Sequence, residues 1–132
     1  MKYIIDTHIF LWLLFEPEKI DKIKLKILEN PENSIYMTSI NFWEISLKFG
    51  LGKLELNGLK PDDLPDCALK MGIKVLEIDA KNMASFHKLK RVDKHKDPFD
   101  RLIIWHCINN DFILVSKDGK FSEYSSLGLK VI

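Results

Sequence analysis

The sequence has few cysteines and no long apolar run. Cys67 and Cys107 are too few for a disulfide scaffold or a cysteine-based zinc cluster. Free, buried thiols are expected, with a single disulfide as the alternative. The longest uninterrupted apolar run, residues 9–15, is far shorter than the ~20 residues that span a bilayer. Asp6 and His8 interrupt the first apolar segment, which excludes a signal peptide. We therefore expect a soluble, cytoplasmic protein with no membrane partner.

The sequence also lacks an excess of charge of either sign. Lys and Arg total 20 and Asp and Glu total 19, so the net charge of +1 indicates no class of partner. A nucleic-acid site would have to come from local clustering of cations. There is no repeat, low-complexity tract or linker. With 132 residues, 46% of them hydrophobic and 30% charged, we expect one globular domain over residues 1–132.

Short apolar runs alternate with helical patterns along the chain. The predicted strands are residues 3–5, 35–37, 73–78, 113–115 and, less regularly, 129–132. The first predicted helix ends near residue 15, and the others cover residues 19–29, 39–49, 61–71, 80–89 and 98–110. Ser39 is the predicted N-cap of the helix at 39–49, and Asp97 is the predicted N-cap of the helix at 98–110. This alternation predicts an α/β fold: a three-layer α/β/α sandwich around a parallel sheet of four to five strands. Ligands of such sheets bind at the carboxyl ends of the strands.

Four acidic residues lie in apolar surroundings where they could meet at that edge. Asp6 follows the first strand, and Asp118 comes shortly after the fourth. Glu44 and Asp100 lie on apolar faces of their helices, where an unpaired carboxylate is costly. Each also has a simpler interpretation: Asp6 as a cap, Asp118 in a turn, Asp100 at a helix N-terminus, and Glu44 paired with Lys48.

Convergence of these acids would require a cation. Two carboxylates ~5 Å apart repel each other by roughly 3 kcal/mol at an effective dielectric constant of 20. A site made of oxygen ligands favours Mg²⁺, with Mn²⁺ as the alternative. Such an ion suits phosphodiester hydrolysis, because it activates a water and neutralises charge that develops on the phosphate.

Four segments carry a resemblance to a known family. They are Ile-Asp-Thr-His at 5–8, Ser-Ile-Asn-Phe-Trp-Glu-Ile at 39–45, His-Lys-Asp-Pro-Phe-Asp-Arg-Leu-Ile at 95–103 and Leu-Val-Ser-Lys-Asp at 114–118. In this order and spacing the chain resembles a PIN-domain ribonuclease, specifically a VapC-type toxin of a type II toxin–antitoxin pair. The resemblance implies Mg²⁺-dependent endoribonuclease activity that leaves 5′-phosphate and 3′-hydroxyl ends. It implies a cognate antitoxin, a homodimer and a toxin–antitoxin hetero-oligomer as assemblies.

The resemblance also implies roles for particular residues. The acidic site would comprise Asp6, Glu44, Asp100 and Asp118, all four as catalytic and metal-site residues, with Asp6 and Asp100 as the most direct ligands. Thr7, Ser39 and Ser116 would orient these acids. Asp97 could also point into the site, but a capping carboxylate is spent on backbone N–H groups, and the family pattern favours Asp100.

A basic segment precedes and enters the last long helix. Its cations are Lys88, Lys90, Arg91, Lys94, Lys96 and Arg101. Beside an acidic metal site they would bind the RNA backbone. The alternative is a solvated loop.

The run at residues 9–15 is apolar on every side of a helix. Either the helix is fully buried, or one face binds an antitoxin segment or a second copy of the chain.

Other functions fit less well. A haloacid-dehalogenase-type phosphotransfer enzyme needs a second Asp where His8 stands, and a receiver domain needs an acidic pair near the first strand. An inert PIN-like binding module for RNA or protein and a free-standing RNA-processing nuclease remain as alternatives.

Overall fold

The computed structural model describes residues 1–92, 95–117 and 119–132, with side chains described throughout except at positions 119, 120 and 122. Strands are β1 (Lys2–Ile5), β2 (Ser34–Thr38), β3 (Lys74–Leu76), β4 (Ile113–Val115) and β5 (Lys130–Val131). Helices are α1 (Thr7–Phe15), α2 (Lys22–Glu29), α3 (Ser39–Gly50), α4 (Leu64–Lys70), α5 (Ala80–Ala84) and α6 (Pro98–Asn110). Short 3₁₀ segments are Pro17–Lys19, Pro61–Asp63, Ser85–Lys88 and Gly119–Leu127.

The described strands form one sheet in the order β3-β2-β1-β4-β5, and every pairing is parallel. Alternate residues of a strand point to opposite faces, so the sheet has two cores. Tyr3 and Ile5 pack beneath α1, α3 and α4, whereas Ile4 packs beneath α6. The predicted α/β/α architecture with a parallel sheet is therefore confirmed.

The order of the strands places three carboxyl ends side by side. β1 lies between β2 and β4, and Ile5 is opposite Val115. Asp6 and Ser116, the next residue in each strand, therefore lie next to each other. This edge is also where the strand order reverses direction, which is the usual position of a ligand site in an open parallel sheet.

Helix boundaries differ from the sequence predictions at three places. The helix predicted over residues 19–29 begins at Lys22, after the Asp21 cap and the 3₁₀ turn at Pro17–Lys19, which leaves Ile23 exposed. The pattern at 61–71 likewise starts with a 3₁₀ turn, at Pro61–Asp63, and α4 begins after it at Leu64. The pattern at 80–89 divides into α5 and a 3₁₀ turn, where the Ser85 hydroxyl bonds a backbone carbonyl.

The N-cap of α3 is Thr38, and the prediction of Ser39 is wrong by one residue. The Thr38 hydroxyl accepts a hydrogen bond from the Asn41 N–H, and the Asn41 side chain accepts one from the Thr38 N–H. This reciprocal capping box fixes the start of the helix. It also places Asn41 and Glu44, three residues apart, on one face of α3.

Two further expectations concern the cysteines and membrane-spanning helices. Cys67 and Cys107 are both free thiols, and Cys107 is buried. Within the part of the chain that the structure describes, no helix combines the length and the apolarity needed to cross a bilayer.

Candidate metal centre

The N-terminus of α1 fixes Asp6. Its carboxylate caps α1 by accepting a hydrogen bond from the Ile9 N–H at 2.8 Å. The Ser116 hydroxyl donates to the other oxygen of Asp6 at 2.8 Å. Burial raises the pKa of Asp6, and these hydrogen bonds oppose the increase. Asp6 is thus a buried carboxylate held from two adjacent strand ends.

Glu44 is 3% exposed and has donors on both carboxylate oxygens. The Thr7 hydroxyl donates to Oε1 at 2.7 Å, and the Lys48 ammonium donates to Oε2. Asn41 in turn donates to the Thr7 hydroxyl at 3.1 Å. The pair of Glu44 with Lys48 that sequence spacing suggested does form, but its carboxylate is buried rather than on the surface.

The N-terminus of α6 brings Asp97 and Asp100 to Glu44. One carboxylate oxygen from each of Glu44, Asp97 and Asp100 lies within 4.8 Å of the other two. We call these three residues the acidic cluster. Asp97 caps α6 as predicted, but Oδ1 accepts both capping bonds, from the N–H groups of Phe99 and Asp100. Capping therefore uses one oxygen of Asp97 and leaves the other available to the cluster.

Asp100 experiences the strongest electrostatic effect of the cluster. Burial, followed by the negative charges of Asp97, Glu44 and Asp6, raises the pKa of Asp100 to about 7, and Lys48 opposes the increase. The pKa of Lys48 is raised: burial acts against the charged form, but the hydrogen bond and charge of Glu44 outweigh it. A local excess of negative charge thus remains at Asp100.

Asp100 is in contact with a hydrogen-bonded group formed by His95, Tyr124 and Arg101. His95 Nε2 lies 3.5 Å from Asp100 Oδ2, and His95 Nδ1 lies 2.6 Å from the hydroxyl of the buried Tyr124. Arg101 donates to the same hydroxyl at 3.2 Å. Sequence reasoning missed this group, because nothing in the spacing of His95 and Tyr124 links them.

Arg101 is not an RNA-binding residue, and that prediction is wrong. Its side chain lies in the core at 8% exposure, where it donates to the backbone carbonyls of Leu89 and Lys90 and lies over the Phe86 ring. A guanidinium with these partners cannot reach a phosphate in solvent. The other described cations of the basic segment are exposed: Lys88, Lys90, Arg91 and Lys96.

The remaining predicted residues are placed as follows. Thr7 and Ser116 each donate to a site acid, whereas Ser39 is the first residue of α3. Asp118 and Lys94 lie outside the described residues. The sequence signal for Lys48 was its position four residues after Glu44, and the signal for Asp97 was its position three residues before Asp100.

The donor set fits a hard divalent cation. All ligand atoms offered by the cluster are carboxylate oxygens, and Asp100 keeps an unfavourable charge environment even with Lys48 nearby. A bound divalent ion would relieve the repulsion that raises the pKa of Asp100. The cluster therefore could hold a divalent cation.

Comparison with known proteins agrees with the fold. The model of the PIN domain family matches residues 3–127, so the chain belongs to this family. Among curated proteins the sequence has no significant match.

Several solved structures share the fold of this chain. VapBC-1 of nontypeable Haemophilus influenzae matches with a TM-score of 0.68 and 19% identity, covering 100% of this chain and 97% of that chain. VapBC2 of Rickettsia felis, bound to a DNA fragment from its promoter, has a TM-score of 0.65, 19% identity and coverage of 100% and 98%. FitAcB of Neisseria gonorrhoeae has a TM-score of 0.57, 19% identity and coverage of 98% and 96%.

Proposed function

We propose that this chain is a cytoplasmic Mg²⁺-dependent endoribonuclease and the VapC-type toxin of a toxin–antitoxin pair, folded as one PIN domain over residues 1–132. The observation that carries the proposal is the acidic cluster at the sheet edge of a PIN domain. Asp6, Glu44, Asp100 and Asp118 are the proposed acids of the site. Asp97 joins them, because its carboxylate lies in the cluster.

The proposed chemistry is hydrolysis of an RNA phosphodiester bond. Asp97 and Asp100, with Asp6 nearby, would hold Mg²⁺, or Mn²⁺ in its place. When bound, the ion would neutralise charge on the phosphate and lower the pKa of the attacking water. Ser116 and Thr7 keep the Asp6 and Glu44 carboxylates in fixed orientations by donating to them.

The exposed cations Lys88, Lys90, Arg91 and Lys96 are the proposed contacts to the RNA backbone. Lys96 precedes Asp97 directly, so phosphates bound by this segment would lie near the acidic cluster. Contacts of this kind hold RNA without reading its sequence.

Two surfaces support the proposed protein partners. Beside α1, a groove of about 450 Å³ has a mixed lining, with apolar residues Leu11, Trp12, Phe15 and Leu54 and polar residues His8, Glu16, Glu55 and Asn57. An antitoxin segment in this groove would lie close to the site. The solved relatives are themselves toxin–antitoxin complexes.

The second surface is apolar and lies between α3 and α6. Trp43 is 59% exposed and packs edge-on against Phe99, beside a cavity of about 220 Å³ that includes Met83 and Leu102. We assign this surface to a second copy of the chain. Sedimentation of the purified chain should give the mass of a dimer, and a larger complex when the antitoxin is added.

The activity is tested by incubating total cellular RNA with the purified chain in Mg²⁺ or in EDTA. We expect discrete products that are absent with EDTA and absent for Asp100→Asn. The control variant is Asp62→Asn, which makes the same change at an exposed carboxyl far along the chain. Equal cleavage by wild type and Asp100→Asn would refute the catalytic assignment, and no cleavage by either would favour the inert binding module.

A further inference from the structure

Lys48 is a cation built into the acidic cluster. Its ammonium bonds Glu44 Oε2, and its charge acts on Asp97 and Asp100 as well. The side chain is 37% exposed, whereas that of Glu44 is 3% exposed. The Lys48 ammonium therefore lies between the buried Glu44 carboxylate and the solvent. A metal ion would enter the cluster from this solvent side.

Glu44 differs from the other cluster acids because both of its oxygens already have donors. Oε1 accepts from Thr7, which is itself held by Asn41, and Oε2 accepts from Lys48. A divalent ion on Glu44 would share this carboxylate with the Lys48 ammonium and would be repelled by its positive charge. Asp97 uses a single oxygen for capping, and Asp100 lies among negative charges.

We propose that Glu44 binds the Lys48 ammonium rather than a divalent ion, and that Lys48 takes the place of a second ion in the cluster. The chain would then bind one divalent ion, through Asp97 and Asp100. This inference rests on the proposed function only in assuming that the cluster takes up a divalent cation.

The charges of the described residues favour this arrangement. Glu44, Asp97 and Asp100 carry up to three negative charges, with Asp6 close enough to affect Asp100. Lys48 offsets one of these negative charges before any divalent ion binds. A second divalent ion would lie close to Lys48 and would have to overcome repulsion from both cations.

The test counts ions directly, with Mn²⁺ as the probe and its electron paramagnetic resonance signal as the readout. We expect one Mn²⁺ per chain for wild type and for Lys48→Arg, and two for Lys48→Met, in which Glu44 becomes available. Lys53→Met removes the same charge from an exposed position just beyond α3 and should still bind one ion.

A double variant separates this role from a purely structural ion pair. Glu44→Gln combined with Lys48→Met removes both charges, so it should bind one Mn²⁺ with a Kd within threefold of wild type. If Glu44 were a ligand, the same variant would lose more than tenfold in affinity. Thermal melts monitored by circular dichroism establish that each variant is folded.

The outcomes for Lys48 and for the proposed function are distinguishable. Two ions on wild type, one ion on a folded Lys48→Met, or a tenfold loss in the double variant would overturn the role of Lys48. RNA cleavage is measured on the same samples. One ion on wild type without cleavage would refute the nuclease and leave the role of Lys48 standing.

Discussion

Glu44 and Asp100 belong to one acidic cluster, but the protein holds them in opposite ways. Glu44 is buried and receives hydrogen bonds on both oxygens, from Thr7 and Lys48. Asp100 has a 29% exposed side chain and a His95 nitrogen at 3.5 Å, and burial together with the charges of three acids raises its pKa to about 7. Under the proposed function, fold stability and metal binding would depend on different carboxylates. Glu44 is paired with Lys48, and Asp100 would be neutralised by a cation from solution.

The largest expected effect comes from removing the support of Glu44. Thr7→Val leaves Glu44 Oε1 and the Asn41 amide without the hydroxyl that joins them. Leaving buried polar groups unpaired should reduce the free energy of unfolding by about 2 kcal/mol. Thermal denaturation should show a melting temperature lower by roughly 6–10 °C. Thr7→Ser, which keeps the hydroxyl, is the matched control, and an equal loss in both variants would contradict this account of Thr7.

In metal-free protein, neutralising Asp100 and neutralising Glu44 should change the melting temperature in opposite directions. Asp100→Asn removes a carboxyl that its neighbours disfavour, so the melting temperature in EDTA should rise by roughly 3–5 °C. Glu44→Gln leaves Lys48 without its partner, so the melting temperature should fall. Changes of the same sign in the two variants would show that the cluster does not divide in this way.

Addition of Mg²⁺ should make wild type more stable than Asp100→Asn, which reverses their order in EDTA. Wild type should gain stability in proportion to its occupancy by the ion, whereas Asp100→Asn should gain little. Differential scanning fluorimetry across a Mg²⁺ series measures this without any RNA present.

The fold could be predicted from the sequence because its signals are local. Apolar runs gave β1 and β4 within one residue, and Pro98 after the capping Asp97 gave the start of α6. Helices with less regular patterns, such as α5, were predicted too long, because side-chain bonds to the backbone and 3₁₀ turns leave little trace in hydrophobic spacing.

The site could be predicted only in part. The choice of Asp6, Glu44 and Asp100 followed from position and apolar surroundings, which sequence reveals. Which oxygen is already bonded depends on contacts across the chain, such as the Thr7 hydroxyl with Glu44, 37 residues apart. For the same reason Arg101 was assigned to the RNA surface, since its buried carbonyl partners are set by tertiary packing.

The pH dependence of stability also tests the comparison. A folded carboxyl with a pKa of about 7 binds a proton more tightly than the same group in the unfolded chain, where its pKa is near 3.8. The metal-free protein should therefore lose stability as pH rises from about 4 to 7, and Asp100→Asn should lack this loss. Urea denaturation at pH 5 and pH 8 in EDTA measures the difference.

Binding of the divalent ion should show the complementary dependence. The ion must displace the proton from Asp100, so its affinity should rise roughly tenfold between pH 6 and pH 8 and then level off. Calorimetry of Mn²⁺ binding in buffers of different ionisation enthalpy should detect close to one proton released at pH 6 and little at pH 8. Glu44→Gln removes one of the charges that raise the pKa of Asp100, so it should move this proton release to lower pH without abolishing it, whereas Asp100→Asn should abolish it. Loss of the release in Glu44→Gln, but not in Asp100→Asn, would place the titrating carboxyl on the other side of the cluster and reverse the division between the two acids.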